Sequence, residues 1–190
     1  MVNVIGLGYI GLPTSLMLAA HGVEVIGTDY NAALVDKLQA GIITFSEEGL
    51  SELFSQAVEQ GIKFSHDYQV ADTYIVSVPT PYDRVSKQID AKYVTTAVTE
   101  VLNICPPEAD IIIESTISPN TIDRFVRPII AASEKKVNLA HAPERIIPGN
   151  MIYELIHNNR TIGADTPEVA ERIKRLYSSF CQGEIVTTDI

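Results

Sequence analysis

The stretch VNVIGLGYIGLPTSLMLAAHG, residues 2–22, decides the fold: a short apolar strand runs into Gly6, Gly8 and Gly11 and emerges as a helix with apolar side chains at helical spacing. A Gly-x-Gly-x-x-Gly turn in this strand-turn-helix context is the phosphate turn of a dinucleotide-binding βαβ unit. Gly6 permits the tight turn and Gly8 lets a pyrophosphate approach the backbone. Gly11 lets the helix lie close on the strand, and the free amides at the helix start face the phosphates. A second strand, VEVIGTD, residues 23–29, ends in Asp29, 18 residues after Gly11. A carboxylate there accepts hydrogen bonds from the ribose hydroxyls of an adenosine and repels a 2′-phosphate, so the expected cofactor is NAD rather than NADP.

Outward from this unit, apolar runs alternate with helical patterns. Strands are predicted near 2–6, 23–28, 73–78, 110–115, 137–140, 160–163 and 184–188, with a further short strand near 62–65. Helices are predicted at 10–21, 31–40, 47–60, 91–103, 119–133, 150–157 and 166–180; the last opens with Thr166 as cap and Pro167 in its first turn. The alternation predicts an α/β, Rossmann-type doubly wound fold, a mostly parallel sheet with helices on both faces. One domain over residues 1–190 is expected, with a polar loop at 80–90 over the carboxyl edge of the sheet.

Composition excludes several classes of function. A net charge of −10 with scattered Lys and Arg argues against nucleic acid. The first twenty residues lack a basic leader and are broken by glycines and Pro13, and no other stretch is long and apolar enough for a membrane span. Cys105 and Cys181 stand apart, with neither zinc spacing nor a disulfide framework, so no metal is expected and a reducing cytoplasm is.

Three strand ends carry polar groups. Thr80 lies between Pro79 and Pro81 behind TYIVSV, and Thr116 follows Ser115 behind DIIIE; hydroxyls at carboxyl strand ends sit where ligands of open α/β sheets collect. The third is HAPERIIPGN, residues 141–150, the densest polar cluster, in which Glu144 is suited to act as a base or position water and Arg145 to fork onto a phosphate or carboxylate. The alternative for this pair is a Glu–Arg surface contact that holds the loop. His141 reads as a loop histidine.

The order VIGLGYIGLPTSLMLA, GTDYN, VSVPTP, ESTISPNT, HAPERIIPG and NNRTIGA resembles the NAD-binding half of the UDP-glucose/GDP-mannose dehydrogenase family, over essentially the whole chain. Within that family, HAPERIIPG with NNRTIGA is most similar to UDP-N-acetyl-D-mannosamine dehydrogenases; UDP-glucose enzymes usually have Phe at the place of Arg145. The resemblance implies oxidation of the C6 alcohol of a nucleotide sugar to a carboxylate with two NAD molecules. It implies that Gly6, Gly8, Tyr9, Ile10, Gly11, Asp29, Thr80 and Thr116 contact NAD, that Glu144 helps activate water with Thr116 beside it, and that Arg145 and Ile146 lie against the sugar nucleotide. Pro148 stands where UDP-glucose enzymes tend to carry a second acid.

The family's nucleophilic Cys, in a Gly-Gly-x-Cys-like motif, and the Lys and Asn of its long central helix have no counterpart in this sequence. The expectation is therefore the N-terminal part of a dimeric enzyme, competent to bind NAD and inactive alone, with an apolar surface exposed where the central helix packs; the alternatives are the same domain of a UDP-glucose or GDP-mannose dehydrogenase, or a stand-alone NAD-binding sensor module.

Overall fold

A computed structural model describes residues 1–85 and 88–190. The strands are β1 (Val2–Ile5), β2 (Val25–Thr28), β3 (Lys63–Ser65), β4 (Thr73–Val76), β5 (Tyr82–Asp83), β6 (Gln88–Ile89), β7 (Asp110–Ile113), β8 (Asn138–His141), β9 (Arg160–Ala164) and β10 (Ile185–Asp189). The helices are α1 (Gly11–Ala20), α2 (Ala32–Gln39), α3 (Leu50–Glu59), α4 (Lys92–Ile104), α5 (Arg127–Ala132), α6 (Met151–His157) and α7 (Pro167–Tyr177).

Eight strands form one sheet in the order β10-β9-β8-β7-β4-β1-β2-β3. β1 and β7 are buried along their whole length, as continuous apolar runs in a sheet covered on both faces must be. Alternate side chains enter two cores. Val2, Val4, Ile75 and Ile112 meet the helices α1, α3, α6 and α7 on one face, while Tyr74, Val76, Ile111 and Ile113 meet α4 and the segment 122–126 on the other. All pairings in this sheet are parallel except that between β8 and β9, where Ala140 faces Ala164 and His141 faces Gly163.

The departures from the sequence reading have local causes. The helix expected over 119–133 is a π-helical turn, Ile122–Val126, followed by α5, because Pro128 has no amide to donate and the widened turn adjusts the ladder before it. The helix expected from 47 starts at Leu50, behind Gly49 at φ +77°, which leaves Glu47 free to bond elsewhere. The 80–90 loop contains the antiparallel pair β5–β6, with Tyr82 opposite Ile89; Ser86 and Lys87, also within that predicted loop, lie outside the described residues. The cap of α7 is as expected, with Thr166 Oγ1 accepting from the amide of Val169 at 3.3 Å. No described helix is long and apolar enough to cross a membrane.

Candidate functional site

The sheet order changes direction between β1 and β4: the chain moves from β1 to β2 and β3 on one side and to β4, β7 and β8 on the other. A crevice at the carboxyl ends of the strands is forced there, since the connections leave in opposite directions. A cavity of about 380 Å³ opens at that point, and its lining brings together Gly6, Gly8, Tyr9, Ile10, Asp29, Thr80, Thr116 and Glu144. Residues spread over more than a hundred positions of sequence thus meet in one hollow.

The three glycines differ in what surrounds them. Gly6 adopts φ +91°, and a Cβ there would lie 2.5 Å from the carbonyl oxygen of Ser77. At Gly11 a Cβ would stand 1.8 Å from the carbonyl oxygen of Gly6, so α1 reaches β1 only because that atom is missing. A Cβ on Gly8 would meet nothing within 4 Å. Gly8 therefore faces open space, and the amides of Gly8, Tyr9 and Ile10 make no hydrogen bond among the described residues. Unused donors beside the positive end of a helix dipole form a cradle for a phosphate anion.

Asp29 is 8% exposed at the end of β2. Its Oδ2 accepts from the amide of Leu7 at 2.8 Å and its Oδ1 from the amide of Asn31 at 2.9 Å, which fixes the carboxylate beside the glycine turn. Each oxygen keeps a lone pair for a further donor. Beyond Asp29 lies a mostly apolar hollow of about 330 Å³ that includes Ile5, Tyr68, Val78, Tyr93 and Ala97 in its wall, a shape and polarity suited to a flat aromatic base.

On the other side of the turn the strand ends are tied together. Thr80 donates its hydroxyl hydrogen to the carbonyl of Thr116 at 2.8 Å, and Ser115 donates to the carbonyl of Val78 at 2.8 Å. Tyr9 donates to Glu47, which also accepts from the amide of Gly149, so the glycine turn is linked to the loop that carries Glu144 and Arg145. Desolvation and the Glu47 carboxylate hold the Tyr9 phenol up at about 12.

Glu144 is 8% exposed and does not pair with Arg145, which rules out the surface Glu–Arg contact as its role in the loop. Its partner is Arg160 of β9, which the sequence reading did not single out. Because β9 runs antiparallel to β8, its first residue lies at the carboxyl end of β8, and the observed register extended toward that end places Arg160 across from Glu144. Arg160 is 4% exposed; its guanidinium stacks over the Tyr177 ring at 4.4 Å and stands 3.7 Å from Glu114 Oε1.

Glu114, equally unremarked in the sequence, ends the strand DIIIE. It is 1% exposed and lines the same cavity. The signals were present: a lone basic residue at the start of an apolar strand, and an acid closing a run of three isoleucines.

Arg145 is exposed. It lines a neighbouring hollow of about 410 Å³ that shares Thr116 and Glu144 with the first, together with His141, Pro143, Asn158, Asn159 and Thr161. Ile146 is half-buried against the core below. Gly11 is buried under the turn and Cys105 and Cys181 are buried elsewhere.

Residues 1–181 match the UDP-glucose/GDP-mannose dehydrogenase family, NAD binding domain. The chain is 42% identical to a UDP-N-acetyl-D-mannosamine dehydrogenase of Methanococcus vannielii and 40% identical to that of Methanococcus maripaludis strain S2. Each match covers 99% of this chain and 44% of the relative. Among solved structures, the native UDP-N-acetyl-mannosamine dehydrogenase from Staphylococcus aureus superposes with a TM-score of 0.92 at 42% identity, over 99% of this chain and 47% of that one. The chain spans about half the length of the relatives it matches.

Proposed function

Because this chain belongs to the UDP-glucose/GDP-mannose dehydrogenase family, whose NAD-binding domain it carries, we propose that it is the cofactor half of a UDP-N-acetyl-D-mannosamine 6-dehydrogenase. In this reading the parent enzyme oxidises the C6 alcohol to the uronate with two NAD, and the chain alone binds NAD without turnover. The observation that carries the reading is the single cavity in which unused amides, Asp29 and a rim of hydroxyls and acids meet at the point where the strand order reverses.

The residues present fit NAD. The amides of Gly8, Tyr9 and Ile10 would receive the pyrophosphate, Asp29 the adenosine ribose, and the apolar hollow beside Asp29 the adenine. Thr80, Thr116 and Glu144, on the other side of the switch, would then border the nicotinamide end. Bound there, NAD supplies the hydride acceptor.

The rest is assigned to the chain's own side chains. Glu144, held by Arg160, presents a fixed carboxylate oxygen to orient water, and its Oε1 already accepts from the amide of Arg145 at 2.7 Å. Thr116 borders both hollows, so it would lie between the cofactor and a sugar placed next to Glu144. Arg145 lines the second hollow, and Ile146, half-buried against the core, follows it in the chain; both are assigned to the sugar nucleotide, whose phosphates an exposed guanidinium suits.

Sugar choice is tested on the protein that joins this chain to its C-terminal half. Assayed with UDP-N-acetyl-D-mannosamine, UDP-glucose and GDP-mannose, it is expected to show kcat/KM at least about tenfold higher for the first, a difference of about 1.4 kcal/mol. A preference for either other substrate overturns the assignment, as does measurable turnover by the 190-residue chain alone.

A further inference from the structure

Two carboxylates and one guanidinium lie together beneath the cofactor cavity, with Glu114, Glu144 and Arg160 all less than a tenth exposed. With both acids ionised the cluster would hold an uncompensated negative charge away from water, a costly arrangement. Geometry decides which acid keeps the countercharge. Arg160 is in direct contact with Glu144 and stands 3.7 Å from Glu114.

The other groups facing Glu114 do not replace the missing cation. Tyr177 of α7 donates to its Oε1 at 3.2 Å and Thr14 of α1 at 3.3 Å; Ser77, behind β4, is a further hydroxyl close to the carboxyl group. Burial and the neighbouring acid keep the Tyr177 phenol neutral, and Cys181, near Arg160, brings no positive charge. Glu114 Oε2 accepts no hydrogen bond of ordinary geometry among the described residues.

We propose that Glu114 carries a proton in the free chain and releases it when NAD+ binds, so that uptake of the oxidised cofactor is linked to loss of a proton from this cluster.

The inference rests on the cofactor reading above. With Asp29 at the end of β2 holding the adenosine end and the start of α1 the pyrophosphate, the charged nicotinamide end of NAD+ would be left to the part of the cavity bordered by Ser77, Thr116 and Glu114. A positive ring there favours the carboxylate, and the proton passes from the Glu114 carboxyl oxygen to solvent buffer. NADH has the same pyrophosphate and an uncharged ring, so it leaves Glu114 protonated. Burial, opposed by Arg160 and reinforced by Glu144, raises the free carboxyl to about 7, which sets the neutral range as the place to look.

The test is calorimetric titration of the 190-residue chain with NAD+ and with NADH between pH 6 and 8, in phosphate and in Tris, whose ionisation heats differ. The expected result is a buffer-dependent heat for NAD+ equivalent to on the order of half a proton released near pH 7. The heat for NADH is expected to be buffer-independent, as is that for NAD+ with Glu114→Gln. Buffer-independent NAD+ binding, equal release with NADH, or undiminished release in Glu114→Gln overturns the proposal. The NAD+ and NADH comparison in the unmodified chain decides the matter even if the variant fails to fold. Absence of saturable heat with either nucleotide overturns the cofactor reading itself.

Discussion

Replacing Arg160 with leucine is expected to destabilise the chain by about 3–5 kcal/mol in urea titrations, the usual cost of removing one partner from a buried ion cluster. Both acids it faces are at least nine-tenths buried, and neither has another cation within ion-pair distance among the described residues. The stacking of the guanidinium over Tyr177 is lost as well. A double variant that also carries Glu144→Gln removes the stranded charge and should recover much of the loss, since the two groups are in direct contact. A decrease below about 1 kcal/mol for Arg160→Leu would mean that water reaches the cluster and that its charges are not held in a low dielectric.

The pH dependence has a definite sign. Glu114 is raised from 4.5 to about 7, so between those values the folded chain binds more protons at this carboxyl than the unfolded chain does. Its contribution to stability is therefore complete below pH 4.5, declines as pH rises, and is gone above 7. Arg160→Leu takes away the group that opposes the shift, so the decline should extend to higher pH.

Gly8→Ala and Gly11→Ala are expected to fail in opposite ways. A methyl on Gly8 meets no protein atom, so the fold should keep its stability, while NAD affinity falls by at least about tenfold because the methyl occupies the phosphate approach. On Gly11 the methyl collides with the Gly6 carbonyl, and α1 must lift from β1 at a cost of about 1–3 kcal/mol, with binding reduced through displacement of the amides. Thermal melts alongside NAD titrations separate the two. Equal stability of both variants, or unchanged NAD affinity in Gly8→Ala, would contradict the division of labour within the turn.

Why these residues could be read in advance and others could not follows from how locally each is determined. The glycine turn, Asp29 and the strand-end threonines depend on one βα connection each, and a strand followed by a helix fixes which edge of the sheet its turn occupies. Thr80 and Thr116 could thus be placed on the same edge, although the hydrogen bond between them could not.

Arg160 depends on something nonlocal. Whether β9 runs with or against β8 is settled by packing, and a parallel β9 would have carried its first residue to the far edge of the sheet, away from Glu144. The pairing of Glu144 with Arg160 rather than Arg145 follows from that direction alone. Glu47 escaped notice for a related reason: the left-handed Gly49 delays α3 and frees a carboxylate that an earlier helix start would have absorbed. Pro128 was visible, but that the ladder would widen ahead of it rather than break depended on the packing of Ile122 and Val126 beneath it.

Whether the crevice at the strand-order reversal is an NAD site whose selectivity comes from Asp29 is decided by calorimetric titration of the 190-residue chain with NAD and with NADP, repeated for Asp29→Ala. Saturable NAD binding is expected, with NADP weaker by at least about tenfold and NAD affinity reduced about tenfold or more in the variant, the value of a hydrogen-bonded pair to a charged group. Equal binding of the two dinucleotides, or NAD affinity untouched by loss of Asp29, would contradict that assignment.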